Sequence, residues 1–427
     1  MHPTDTTTTA NRTPHSRDGS SLTSTWKYIR QSPVVLGIAL FVIANILLLA
    51  FQPLSKVDPD SLPAAHTWTW WATREYLDQA NAPAVVLLGS SLMMHPVSRQ
   101  DADFLNKDLD YVHHHKSAYL ESSLTKLTGS NKLSCFNYAL PGSMISDNYM
   151  VARALFSGDK KPKMLVLGLS LRDFIDSGVN CPAATPPFRY LKRFVNINDI
   201  VNLAMPQIWQ RIDYNVGNMV YLYNKKLDTQ VLLSEYVKAA LGPLMRNICV
   251  PSLIEKLDPA KNLPSNLRSE VEENMFIVKT HQPYSWEDNS KEYIKRYRMK
   301  NTGMFDIQAK FLSQLLAYCK AQNIAVLIVN MPLTPKNMAL MPAGYYNHYL
   351  SKLKESAVAN DSPLVDLNSR SDFKETDFYD TSHMNATGGK KLLDRIAETI
   401  ASNTTLSAAI NSHAPTQLAE HGSGTLQ

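Results

Sequence analysis

Three residues in this sequence have the types and spacing of a nucleophilic relay. Ser91 follows Gly89 and Ser90 at the end of the apolar run Val85–Leu88. Asp380 and His383 stand three residues apart in Asp380-Thr381-Ser382-His383, just ahead of an amphipathic stretch. A serine hydroxyl is a weak nucleophile, and a base must take its proton as it attacks an ester carbonyl. An imidazole titrates near neutrality and suits that task. A carboxylate three residues earlier is within reach of the ring from one loop or helical turn. There it holds one tautomer and stabilises the charged form. Each piece alone has a plainer reading. Gly-Ser-Ser after a strand is most often a turn, and a lone Asp-x-x-His is most often a helix start or a surface pair. Their joint placement is what points to chemistry.

That placement depends on the elements around them. Five short apolar runs recur: Ala84 to Gly89, Ser134 to Ala139, Lys163 to Gly168, Ile324 to Asn330 and Pro363 to Asn368. Runs without alternation suit strands buried on both faces of a parallel sheet. Helical patterns separate them. In one, Ile307, Phe311, Leu315 and Cys319 recur every four residues; others begin at Gly344 and Thr387. Alternating strands and helices give an α/β layered fold with right-handed crossovers. Ligands bind such sheets at the carboxyl ends of the strands. Those ends carry Ser91, then Asn137 and Gly142, then Ser170, Arg172 and Asp173, and lastly the segment with Asp380 and His383. One connection is too long for a simple crossover. Residues 185–300 read as an inserted, largely helical subdomain and a candidate lid.

This ordered set resembles the SGNH/GDSL hydrolase superfamily. Gly89-Ser90-Ser91-Leu92 matches the Gly-Asp-Ser-Leu block with Ser90 in place of Asp, Gly142 matches the Gly block, and Asp380 to His383 matches the Asp-x-x-His block. The likeness spans Ala84 to Ile400 with the insertion set aside. It implies a flavodoxin-like three-layer α/β/α sandwich and a Ser91–His383–Asp380 triad. It also implies an oxyanion hole built from the backbone N–H groups of Ser91 and Gly142. The third block departs from the family. Where the usual motif is Gly-x-Asn-Asp, with Asn as a donor, a gapless match puts Ser170, and Arg172 or Asp173 could reach the site instead. Within the superfamily the chain is most similar to membrane-anchored proteins that modify cell-surface polymers, of the D-alanyl transfer and alginate O-acetylation types. That likeness implies an esterase or O-acyltransferase acting on an acylated polysaccharide or related polymer, with a membrane-bound O-acyltransferase as partner.

Other chemistries find less support. The chain has 427 residues, 43 Lys and Arg against 38 Asp and Glu, and a net charge of +5. The excess is spread along the chain, with no clustered basic patch for a nucleic acid. His113, His114 and His115 are adjacent, and neighbours on regular structure point in different directions, so a metal site is a poor reading. No phosphate loop of the Gly-x-x-x-x-Gly-Lys type is present. No cofactor is expected. The basic, aromatic stretch Lys291 to Lys300 reads as an exposed helix or loop with some affinity for acidic glycans or headgroups. The four cysteines lack metal or redox spacing. Cys135 and Cys319 read as buried thiols, and Cys181 and Cys249 as a pair that an oxidising compartment would permit.

Residues 1–30 are polar and read as a disordered cytoplasmic segment. From Val34 to Phe51 no charge occurs, and Asn45 is the one strongly polar residue. With its flanks this forms a transmembrane anchor over 31–53, preferred to a cleaved signal peptide, which has a shorter apolar core and a small-x-small site. Lys27 and Arg30 precede it, which puts the N-terminus in the cytoplasm and the domain at 54–402 outside it, in the periplasm or at the cell surface. The Trp-rich segment at Trp68 reads as a first helix on the core or as a membrane-interface segment. Residues 403–427 read as a disordered tail. Two rivals to the acyl-transfer reading stand. One is a non-catalytic protein of the same fold that binds polymer or tethers an acyltransferase. The other is a secreted lipase or thioesterase.

Overall fold

A computed structural model describes chiefly residues 32–56, 66–130, 133–225, 275–298 and 303–411. The chain forms two compact units. One joins residues of Met1–Asp58 with Asn215–Gln230; the other joins Pro59–Tyr214 with Val231–Gln427. The expected terminal segment 1–30, and Cys249, lie outside the described residues.

In the first unit, α1 (Pro33–Phe51) is apolar on every side and long enough to cross a membrane. Pro33 at its first turn costs no hydrogen bond, because that N–H has no intrahelical acceptor.

The second unit is an α/β layer structure. Its helices include α2 (Trp68–Asp78), α3 (Ser91–Leu105), α4 (Ala118–Thr128), α5 (Ile145–Leu155) and α6 (Arg172–Ile175). Further along come α7 (Ile208–Met219, continuing into the first unit), α9 (Met304–Ala321), α10 (Tyr345–Ala359), α11 (Ala386–Ser402) and α12 (Thr404–Asn411). Between α7 and α9, α8 (Tyr221–Asn224) belongs to the first unit. Strands β1 (Val85–Gly89), β3 (Cys135–Asn137), β4 (Met164–Leu169), β6 (Ala325–Asn330) and β7 (Leu364–Asp366) form one sheet in the order β3-β1-β4-β6-β7. Every neighbouring pair in it is parallel. All five apolar runs became its strands. The two-residue strands β2 (Leu109–Asp110) and β5 (Ile277–Val278) pair antiparallel beside it.

The side-chain period of two divides each strand between two cores. Val86, Leu88, Leu165, Leu167 and Ile328 pack with residues of α2, α5, α9 and α10. Val85, Leu87, Met164, Val166 and Leu327 pack with residues of α3, α4 and α11 on the other face. Burial on both faces explains why the strands read as unbroken apolar runs. The Trp-rich segment takes the plainer of its two readings, since Trp70, Ala72 and Tyr76 are buried in the first core.

Two expectations change. Residues 404–411 of the expected tail form α12, because Leu406 and Ile410, one turn apart, are buried in the second core, and residues 412–427 lie outside the described residues. The tail's polar composition hid that two-residue stripe. Cys181 is a free, buried thiol at the start of the turn Pro182–Ala184, like Cys135 and Cys319, and forms no disulfide. The stretch from Lys291 forms a short, largely exposed helix, Ser290–Arg296, within the expected reading, and it is anchored by Tyr293 and, just after it, Tyr297, both buried in the first core.

Candidate active site

Gly89 ends β1 with φ +151°, and a Cβ there would stand 2.7 Å from the Gly168 carbonyl oxygen on neighbouring β4. Only glycine allows the chain to leave the sheet so close to its neighbour. Ser90 then caps α3, and Ser91 is its first residue. Ser91 thus stands at the carboxyl end of a central strand and at the positive end of a 15-residue helix. Negative charge that develops there is favoured by the helix dipole and the free first-turn N–H groups.

The candidate base, His383, comes from a segment far along the chain. Tyr379 to Met384 form a tight loop before α11, closed by the Phe378–Met384 bridge and a hydrogen bond from the Tyr379 N–H to the His383 carbonyl. Ser91 Oγ lies 2.8 Å from His383 Nε2, and His383 Nδ1 lies 2.7 Å from Asp380 Oδ2. The second oxygen, Asp380 Oδ1, accepts the backbone N–H groups of Ser382 at 2.8 Å and His383 at 2.7 Å. Burial pushes the Asp380 carboxyl up, but the His383 ring and these two N–H groups outweigh it and hold it below its ordinary value. Asp380 is therefore a fixed negative charge that orients the ring. The three residues named from the sequence form one continuous hydrogen-bonded chain.

The loop after β3 runs beside the end of β1, where the Leu140 N–H donates to the Gly89 carbonyl at 3.1 Å. This brings Gly142 to the strand end that carries Ser91. The N–H groups of Ser91 and Gly142 have no acceptor among the described residues.

Ser170 and Arg172 are positioned differently from the expectation that they donate to an oxyanion. Asp173 accepts both the Ser170 N–H at 2.8 Å and the Ser170 hydroxyl at 3.2 Å. Arg172 is buried with all five of its donors engaged. Nη2 reaches the Gly142 carbonyl and Asp176, both at 2.8 Å; Nη1 reaches the Ser143 carbonyl at 2.8 Å and Asp173 at 3.1 Å; Nε reaches Asp176 at 3.1 Å. Arg172 therefore holds the Gly142 loop from behind. Arg296, from the Ser290–Arg296 helix, joins the same cluster at 2.6 Å from Asp176.

Sequence reading missed the aromatic wall around His383. Tyr379 stacks on its ring, with centroids 5.8 Å apart and planes 15° apart, and the His95 ring lies 4.8 Å away. His95 Nδ1 is within 3.0 Å of the Tyr379 hydroxyl and 2.9 Å of the Tyr111 hydroxyl. Burial, then the neighbouring His383 and Arg99, push His95 well below the usual imidazole range, so it stays neutral. The available signal was spacing: His95 follows Ser91 by one helical turn and shares its face. Arg99, one turn further, lies over the Tyr379 ring at 4.0 Å.

The three adjacent histidines disperse. His113 meets Glu75 at 3.0 Å, His114 meets Asp101 at 2.8 Å, and His115 lies buried between the Asn137 and Val112 carbonyls. Among the described residues no cluster has the makeup of a metal site.

A model for a family of unknown function matches residues 288–405. That stretch includes Asp380 and His383 but stops short of Ser91 and Gly142. No curated protein matches the chain.

Proposed function

We propose that this chain is a membrane-anchored serine esterase or O-acyltransferase of the SGNH type, acting on acyl groups of a cell-surface polysaccharide or related polymer. The observation that carries the reading is the unbroken Ser91–His383–Asp380 relay at the end of β1. Taken as strands one to five, the sheet order is 2-1-3-4-5, the flavodoxin-like order, and Ser91 lies at its switch point, where such sheets bind ligands.

In this reading Ser91 Oγ attacks the acyl carbonyl carbon as His383 Nε2 takes its proton. The carbonyl oxygen becomes an oxyanion facing the N–H groups of Ser91 and Gly142. One such donor is worth about 3 kcal/mol of barrier. The tetrahedral intermediate breaks its bond to the leaving oxygen, which takes the proton from His383, and the acyl group remains as an ester of Ser91. Water or an acceptor hydroxyl then attacks that ester, with His383 again the base. Water gives hydrolysis; a polymer hydroxyl gives transfer. No cofactor enters these steps. In this reading α1 is an anchor with the N-terminus cytoplasmic, the α/β unit works outside the cytoplasm, and a membrane-bound O-acyltransferase supplies the acyl group.

A second reading is a non-catalytic scaffold of the same fold for such an acyltransferase. It is favoured by the third strand end, where Ser170 stands at the position of the family's Asn donor and both of its donors are turned to Asp173. A fluorophosphonate probe separates the two. Labelling of the wild-type chain that is lost in Ser91→Ala and falls sharply in His383→Ala supports catalysis. An unlabelled, well-folded wild type supports the scaffold.

A further inference from the structure

The first unit holds a second apolar element whose depth is fixed by α1. Every residue of α1 is exposed except Asn45 and Leu48. Asn45 is the single strongly polar side chain in that helix, and both ends of its amide are engaged. Nδ2 donates to the Met219 carbonyl at 2.7 Å, and Oδ1 accepts the Tyr221 N–H at 2.9 Å. These two backbone groups flank Val220, the break between α7 and α8. Six residues separate Asn45 from Phe51, so at 1.5 Å per residue the junction lies about 9 Å inside the C-terminal end of α1. A second bond ties the pair nearer that end, where the Leu54 N–H donates to the Tyr221 hydroxyl at 2.9 Å.

The segment fits that depth. Between Asp213 and Lys225 the sequence Tyr-Asn-Val-Gly-Asn-Met-Val-Tyr-Leu-Tyr-Asn carries no charge. Its apolar side chains are uncovered: Met219 is 69% exposed, Leu222 51% and Val216 39%. The stripe begins earlier on α7 with Ile208 and Ile212, also exposed. Open backbone at membrane depth is tolerated only when its polar groups are satisfied inside the protein. An isolated Asn in hydrocarbon is costly for the same reason. The break and Asn45 satisfy one another.

We infer that Val216–Tyr223 is a second membrane element, dipping into the leaflet at the C-terminal end of α1 with Met219 and Leu222 against lipid acyl chains and Asn45 as its clamp. The inference rests on the reading of α1 as a membrane span.

Depth-dependent quenching in full-length protein tests it. Single cysteines at Met219→Cys, Leu222→Cys, Leu47→Cys and Val358→Cys are introduced in a Cys249→Ser background, since Cys135, Cys181 and Cys319 are buried. Each carries a nitrobenzoxadiazole label in phosphatidylcholine vesicles with doxyl groups on the acyl chains. Variants are first matched to the parent by circular-dichroism melts. Quenching at 219 and 222 is expected within about twofold of that at 47 and well above that at 358. Quenching at 47 without quenching at 219 and 222 overturns the inference and leaves the span standing. No quenching at 47 removes the span, and the inference with it. Asn45→Leu is expected to lower quenching at 219 at least twofold and leave 47 unchanged; equal quenching overturns the role of Asn45.

Discussion

Gly389 lies against Pro96 so closely that a Cβ built on it would stand 2.3 Å from the Pro96 carbonyl oxygen. Gly389 is in the first turn of α11, six residues after His383; Pro96 is in α3, five residues after Ser91. This contact locks the helix that follows His383 to the helix that begins with Ser91. It sets the register in which Ser91 Oγ and His383 Nε2 come within hydrogen-bond reach.

Gly389→Ala forces backbone against backbone and must separate the two helices. A loss of more than about 2 kcal/mol is expected, in the range of overpacked cores. Surviving folded protein should label with fluorophosphonate at least tenfold more slowly. A variant with wild-type melting and labelling would show that the close approach is not required.

Asp380→Asn keeps an acceptor for the Ser382 and His383 N–H groups but removes the charge facing Nδ1. The ring then loses the partner that fixes its tautomer. The rate of Ser91 labelling should fall about 10³–10⁴-fold, with little change in melting temperature. A fall of less than tenfold would leave Asp380 a structural residue only.

Arg172→Lys tests the brace behind Gly142. A lysine cannot reach the Gly142 and Ser143 carbonyls and both Asp173 and Asp176 at once. The Gly142 N–H should lose its alignment, and labelling per folded molecule should drop about tenfold or more. Some stability should go as well, because Asp173 and Asp176 keep only part of their compensation. A melt that falls while labelling per folded molecule holds would confine Arg172 to a structural role.

His115 gives a pH dependence unconnected with the relay. Burial pushes its imidazole down to about 4, against a partial upward pull from the Asn137 and Val112 carbonyls. The unfolded chain takes up this proton near pH 6.5 and the folded chain does not until about 4. Its contribution to stability is thus present above pH 6.5 and lost as pH falls from 6.5 to 4. The size is about 3 kcal/mol at one pKa unit per 1.36 kcal/mol. Asp147, pushed up to about 6 chiefly by burial, acts in the opposite sense over an overlapping range. The measurement is therefore the difference in unfolding free energy between wild type and His115→Gln at pH 7 and pH 4.5. Parallel pH curves for the two proteins would exclude His115 as the source.

The five sheet strands, the long helices and the apolar span were legible in the sequence because each is a local pattern. Strands buried on both faces read as unbroken apolar runs, and helices at three- and four-residue spacing. Ser91, Asp380 and His383 could be singled out for the same reason, since strand ends and Asp-x-x-His are local features. Only the tertiary structure decided what meets what. Arg172 reads from the sequence as a charge at a strand end, and folding surrounds it with two carboxylates and two carbonyls that engage every donor it has. Cys181 has no signal separating a free buried thiol from a paired one. Asn45 and Tyr221 are 176 residues apart, and no local pattern links them. Nor does any pattern link Pro96 to Gly389. Periodicity reports which face of an element is apolar; which surfaces come together depends on the packing of whole elements, and that is where the site was assembled.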